Sequence, residues 1–284
     1  MHRLSGAGLV MSGFGHAFLR SHVGQLFSLS FLALASLFST KGNRKIDIHQ
    51  IISQIYHIGI VSLPLIFTVG VIFGTVLIMI STTYMLKVGF GSSFGDIIVV
   101  AIVQQLGPIL TAFLIAGRSG SSLTTRIASM KVNSEIDALE TLGISYIRFL
   151  VMPAFIGSIV AMVIATCFFC LSAIGAGFLI TKIIAFFLDG FITIQLEWGS
   201  YSLSILTALS PLDFVMGLLK PIVFAAIITT NACYFGTRIP NDQRAVPIAT
   251  SRAVVSSFIF IVVSNLLLSA TYIPGYISSM KSVI

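Results

Sequence analysis

Lys220 is the residue whose type and setting most invite chemistry. It stands seven residues after Asp213, directly before Pro221, at the edge of a long uncharged run. An ionisable group inside a membrane is expensive and by default a functional candidate. The alternative is a lysine that snorkels its ammonium to the interface. A second candidate is the segment Ser134 to Gly143. Ser134 with Asp137 three positions on is a capping signal. Glu135, Asp137 and Glu140 place negative charge toward a helix N-terminus, where the dipole favours it, and Gly143 is placed to end the helix. Ile136, Leu139 and Leu142 recur every three residues and predict one apolar stripe. A helix this short is not stable alone, so it must pack on its own bundle or on a soluble partner. Cys167 and Cys170 have the spacing of a metal or redox pair, but no second pair or nearby histidine completes a four-ligand set. Membrane packing is the reading for these two and for Cys233. No metal site is expected.

The elements that must position these residues are transmembrane helices. The chain has 284 residues, 56% hydrophobic and 9% charged, against about 25% charged in soluble domains. Residues 48–86, 97–117, 149–181, 221–237 and 253–280 contain no Asp, Glu, Lys or Arg. A spanning helix needs about 20 apolar residues. The fold class expected is therefore an all-α membrane protein of five transmembrane helices plus an N-terminal interfacial or re-entrant helix. The alternating ~10-residue segments of a transmembrane barrel are missing. With the N-terminus inside, 12 of the 16 Lys and Arg fall on inner segments and Lys87, Lys182, Lys220 and Lys281 do not. That satisfies the positive-inside rule. The net charge of +7 is thus a topology signal, and no nucleic-acid partner is expected.

Two domains are expected, an N-terminal interfacial segment at 1–45 and a membrane domain at 46–284. Residues 21–40 are uncharged and long enough to span, yet basic residues flank both sides. Such a segment enters and leaves on one side or lies in the interface; a cleavable signal peptide is the alternative. Ile48, Ile51, Ile52, Ile55 and Ile58 recur at helical spacing, with His49 and His57 between them, and predict an amphipathic surface helix feeding the first span at Ser62-Leu63-Pro64. Gly70-x-x-x-Gly74, and Gly157, Ala161 and Ala165 at spacing four, permit close helix approach. That approach is either packing within one subunit or a dimer seam. Residues 182–213, with Asp189, Glu197, Trp198 and Asp213, read as the longest outer connection. By these boundaries the spans hold no Asp or Glu. A small-residue turn at 116–120 is expected to end the second span, followed by a basic segment.

Several blocks in order resemble the MlaE-type, or YrbE, permeases of ABC transporters. They are Gln54-x-Tyr56-x-Ile58-Gly59, Ser62-Leu63-Pro64, Gly107-Pro108, Ala116-Gly117-Arg118-x-Gly120-Ser121, Met130-Lys131-Val132, Ile136-Asp137-Ala138-Leu139-Glu140, Cys233-Tyr234-x-Gly236 and Ala249-Thr250-x-Arg252-Ala253. The resemblance implies a lipid-transporter subunit without a cofactor. Its implied partners are phospholipid, a second copy of the chain, a cytoplasmic ABC ATPase dimer, an MCE-domain lipid-binding protein and a small STAS-type regulator. It implies a bacterial inner membrane location, multi-pass. In that picture Ser134, Glu135, Ile136, Asp137, Leu139 and Glu140 form the coupling helix that docks into the ATPase. Lipid-binding positions are Gln104, Gln105, Lys220 and Asn265. The family often has Arg-Glu at the place of Gln104-Gln105, an acidic residue near Asn265, and Glu at the place of Arg126. Gln104, Gln105 and Asn265 keep hydrogen-bonding capacity without charge, which predicts that Lys220 meets a lipid phosphate directly as a point cation.

The chain has no G-x-x-x-x-G-K-[ST] loop, so energy must come from a partner or an ion gradient. An ion-coupled secondary transporter would need intramembrane carboxylates or paired broken helices. A mere membrane anchor would tolerate polar changes within its spans. An intramembrane enzyme lacks a His, Asp or Glu cluster or a Ser-His pairing in the spans. The chain is therefore read as a non-enzymatic permease working by alternating access. Two copies would enclose a cavity lined by the first, second and fifth spans.

Overall fold

The computed structural model describes residues 48–88, 94–187, 198–240 and 242–281, and every element assigned among them is helical. The N-terminal segment 1–45, Asp189 and Glu197 lie outside the described residues. Five helices are long and apolar enough to cross a membrane: Ile48–Thr82, Gly95–Val132, Phe149–Ile184, Asp213–Thr237 and Ala245–Thr271. These are the first to fifth spans below, and they match the five read from the uncharged runs.

The first span has two parts. An amphipathic helix, Ile48–Ile58, joins the long helix Leu63–Val88 through one 3-10 turn, Ile60–Ser62. Pro64 in the first turn needs no helical N–H there. Of the isoleucine stripe, Ile58 is buried and Ile51 and Ile55 are half-buried, while Ile48 and Ile52 face outward. His49 and His57 are exposed.

The small residues serve packing within the subunit. A Cβ on Gly157 would lie 2.7 Å from the Gln54 Cβ, and one on Gly59 would lie 3.2 Å from the Ala161 Cβ. Those contacts lay Ile48–Ile58 against the third span. Gly70 and Gly74 meet Ser172 and the Ala173 backbone, and a Cβ on Gly177 would come within 2.8 Å of Gly74. Backbones this close need glycine. The core runs through this seam and across to the fourth and fifth spans, with Ile66, Ile102, Ala112, Ala165, Phe169, Phe224 and Ile261 fully buried.

The expected turn at 116–120 does not form. Ala116–Gly120 is a π-helical segment inside one continuous helix that runs on to Val132. The Ser121 and Thr124 hydroxyls fold back onto the Gly117 and Gly120 carbonyls at 2.6 and 2.8 Å. Leu123 and Ile127 are buried, which holds the continuation against the fourth span. At 1.5 Å per residue a helix of 38 residues is about 57 Å long, nearly twice the ~30 Å hydrocarbon thickness. The helix is therefore longer than a membrane crossing needs, and the basic segment is its continuation.

The fourth span starts earlier than the uncharged run. The helix Pro211–Thr237 opens on a capping box in which Ser210 Oγ accepts from the Asp213 N–H and Asp213 Oδ2 accepts from the Ser210 N–H. Asp213 thus leaves the outer connection and enters the bundle, 2% exposed. A second helix, Trp198–Ala208, precedes it, anchored where the Tyr201 hydroxyl donates to the Ile174 carbonyl at 3.1 Å.

Candidate functional site

A buried polar cluster joins the second, fourth and fifth spans. Lys220 is 2% exposed, so it does not snorkel. Its Nζ donates to three neutral oxygens: the Gln104 carbonyl at 2.8 Å, Gln105 Oε1 at 3.1 Å and Ser269 Oγ at 3.1 Å. Those are the three donors an ammonium has. Gln104 shows why this part of the second span can receive them. Pro108, four residues on, has no N–H to give the Gln104 carbonyl, and the lysine donates there instead. The segment Val99–Leu106 is also π-helical, a geometry frequent at functional sites.

Gln104 has a second connection. Its Nε2 donates to Asp213 Oδ1 at 2.6 Å. One residue therefore touches the buried cation with its main chain and the buried carboxylate with its side chain. On the other side, Gln105 Nε2 donates to Ser269 Oγ at 3.1 Å, and Asn265 Nδ2 approaches Gln105 Oε1 at 3.4 Å. Asn265 Oδ1 is buried without a hydrogen-bond partner, an acceptor left open on a side chain that adjoins Gln105.

All four lipid-binding candidates, Gln104, Gln105, Lys220 and Asn265, thus meet in one place. Two members escaped the sequence reading. Ser269 carried no signal beyond its helical spacing from Asn265. Asp213 did carry one, because Ser210-Pro211-Leu212-Asp213 is a capping box with proline at the first helical position. The expectation that the spans hold no carboxylate is overturned by that same helix start.

The second candidate element, Glu135–Thr141, lies where the long second span ends. The Ser134 cap does not form. Ser134 sits in the left-handed region with φ 58°, its side chain accepts no capping bond, and Asp137 instead pairs with Lys131 at 2.6 Å. A capping residue ordinarily has extended backbone, and the left-handed backbone of Ser134 departs from it. Gly143 does terminate the helix, at φ +72°, with the Ile144 N–H reaching back to the Leu139 carbonyl. The apolar stripe divides. Ile136 is buried in a cluster with Leu123, Ile127, Phe155 and Cys233, Leu139 is half-buried, and Leu142 is 73% exposed. Glu135 and Glu140 are exposed beside it. The helix is therefore seated on the bundle by one knob, Ile136, and turns carboxylates and a leucine outward. Tyr146 stands half-buried behind it. Burial first, then the Glu140 charge, raises its hydroxyl pKa above the ordinary tyrosine value. At the end of the fourth span the Arg238 guanidinium lies 4.5 Å over the Tyr234 ring.

Of the cysteines, Cys233 is buried in the Ile136 cluster. The Cys170 thiol packs 4.0 Å from the Ile102 carbonyl, and Cys167 faces outward.

A helical membrane bundle with its polar chemistry sealed between spans, and a short charged helix presented at one end, defines a polytopic permease. The chain belongs to the MlaE permease family, whose model matches residues 51–271. Among its relatives, a probable ABC transporter permease protein of Rickettsia prowazekii is 33% identical over 248 residues, covering 87% of this chain and 91% of that one. A probable ABC transporter permease protein of Pyropia yezoensis is 29% identical over 225 residues, or 79% and 82% of the two chains. The intermembrane phospholipid transport system permease protein MlaE of Haemophilus influenzae is 25% identical over 221 residues, or 78% and 81%.

Proposed function

We propose that this chain is the permease subunit of an ABC transporter that moves phospholipid between membranes, resident in a bacterial inner membrane. Family membership and the phospholipid named for the Haemophilus relative support the substrate class. The observation that carries the site assignment is the gathering of Gln104, Gln105, Lys220 and Asn265 at a single buried lysine. The ammonium is the phosphate-binding charge. A lipid phosphate approaching it replaces Gln105 and Ser269, whose amide and hydroxyl can turn away, while the Gln104 carbonyl stays fixed in the helix. The open Asn265 oxygen accepts from the head group.

The coupling residues are Ser134, Glu135, Ile136, Asp137, Leu139 and Glu140. ATP-driven closure of a cytoplasmic ATPase dimer pushes on this helix, and Ile136 passes the push to the third and fourth spans. Coupling of this kind needs two conformations of different lipid affinity. Two copies of the chain make the working unit. The fifth span supports this, since Val255, Ile259, Val262, Val263, Leu266 and Leu267 leave one of its faces uncovered within the subunit. An MCE-domain protein on the outer side and a small STAS-type regulator complete the assembly. The test is Lys220→Ala, purified in mild detergent, with phospholipid counted by mass spectrometry. The reading expects at least a tenfold drop in bound phospholipid; retention at the wild-type ratio refutes it.

A further inference from the structure

We infer that Asp213 is the counter-charge of Lys220, acting across Gln104. Both groups are 2% exposed, and both belong to the fourth span, seven residues apart. The Lys220 Nζ contacts described above are all neutral oxygens, so none of them balances its charge. An isolated ammonium is strongly unfavourable in an apolar bundle, and buried charges are paired or otherwise compensated. Asp213 supplies that compensation from the start of the helix. Gln104 fixes the distance, holding the carboxylate through Nε2 at 2.6 Å and the ammonium through its carbonyl at 2.8 Å.

The arrangement separates two roles that a direct ion pair would merge. A carboxylate in contact with Lys220 would compete with an incoming phosphate for the same ammonium hydrogens. A carboxylate held at the far end of Gln104 sets its negative charge on the lysine's own helix without touching the ammonium, and it leaves the side occupied by Gln105 and Ser269 exchangeable. Asp213 is therefore a positioning residue. It keeps Lys220 charged and buried without occupying the face a phosphate needs. This inference rests on the phospholipid reading for its second half only; the charge compensation stands without any ligand.

Asp213 also caps its helix, so the test must separate cap from charge. Ser210→Ala removes half of the capping box and no charge. Asp213→Asn removes the charge and keeps an acceptor oxygen. Adding Gln105→Glu to Asp213→Asn returns a carboxylate beside Lys220, whose Nζ is 3.1 Å from that side chain. The full chain is purified in detergent, and its monodisperse yield, melting temperature and co-purifying phospholipid are measured. Asp213→Asn is expected to lower yield and melting temperature and to cut bound phospholipid at least fivefold. Ser210→Ala is expected to stay within twofold of wild type in yield and lipid. The double variant is expected to regain yield and melting temperature, because a carboxylate again stands beside the lysine. Three results each overturn the inference: wild-type behaviour of Asp213→Asn, equal damage from Ser210→Ala, or a double variant that folds no better than Asp213→Asn. Should Lys220→Ala keep its phospholipid while the stability rescue holds, the lipid reading fails and the counter-charge stands.

Discussion

Leu142→Ala and Ile136→Ala should separate docking from transmission, because one short helix and its C-terminal cap carry two leucine-sized side chains of opposite exposure. Leu142 is 73% exposed and Ile136 is 3% exposed. Burying a leucine completely is worth about 1.5–3 kcal/mol. If an ATPase covers what the bundle leaves open on Leu142, the contact contributes about 1–2 kcal/mol, or roughly 5- to 30-fold in Kd. Removing it should leave the permease as stable as before. Ile136→Ala should do the reverse, since truncating a buried isoleucine costs about 2–5 kcal/mol and loosens the seat on Leu123, Phe155 and Cys233. The assay titrates the partner ATPase onto detergent-solubilised permease and follows Kd, while a thermal melt follows the bundle. Leu142→Ala should weaken binding with an unchanged melt. Ile136→Ala should lower the melt and break the link between ATP hydrolysis and transport while docking persists. An ATPase that binds Leu142→Ala with wild-type Kd refutes the outward-facing half of the reasoning. An unchanged melt for Ile136→Ala refutes the inward half.

Three further outcomes follow from the same geometry. Gly74→Ala should abolish folded protein, because a Cβ there meets the Ala173 backbone rather than a movable side chain; size-exclusion chromatography reads this directly. Asp137→Ala or Leu139→Ala should uncouple ATP hydrolysis from transport with little change in stability, since a half-exposed ion pair such as Lys131–Asp137 is worth about 0–1 kcal/mol; normal transport would count against the coupling role. Tyr146 contributes stability that is present below the ordinary tyrosine pKa of about 10 and is lost as pH rises past it, because its folded-state value is raised. Tyr146→Phe should therefore flatten the loss of stability between neutral and strongly alkaline pH, and a melt series across that range checks it.

The five spans and their order were legible in the sequence because they depend on charge-free length alone. Helix ends were harder. The motif S-x-x-D occurs at Ser134 and again at Ser210, and the choice between them depends on surroundings. Lys131 captures Asp137 at 2.6 Å, and the left-handed backbone of Ser134 departs from the extended backbone of a cap. Pro211 pre-sets the helical φ after Ser210, and there both reciprocal bonds form. The continuous second span was hidden because Gly117 and Gly120 read locally as a turn. Only packing of Leu123 and Ile127 against the fourth span decides for helix. The polar cluster was partly legible, since its members could be named one by one. Their meeting could not be read, because Gln104 and Lys220 are 116 residues apart and Gln105 and Ser269 are 164.

The most direct test of the account reconstitutes the permease with its cognate ATPase in vesicles carrying a labelled phospholipid, with and without ATP, for wild type and Lys220→Ala. The account predicts ATP-dependent movement of the phospholipid by the wild type, and ATP hydrolysis without movement by the variant. Equal transport by the two, or transport that follows an ion gradient and ignores ATP, would contradict it.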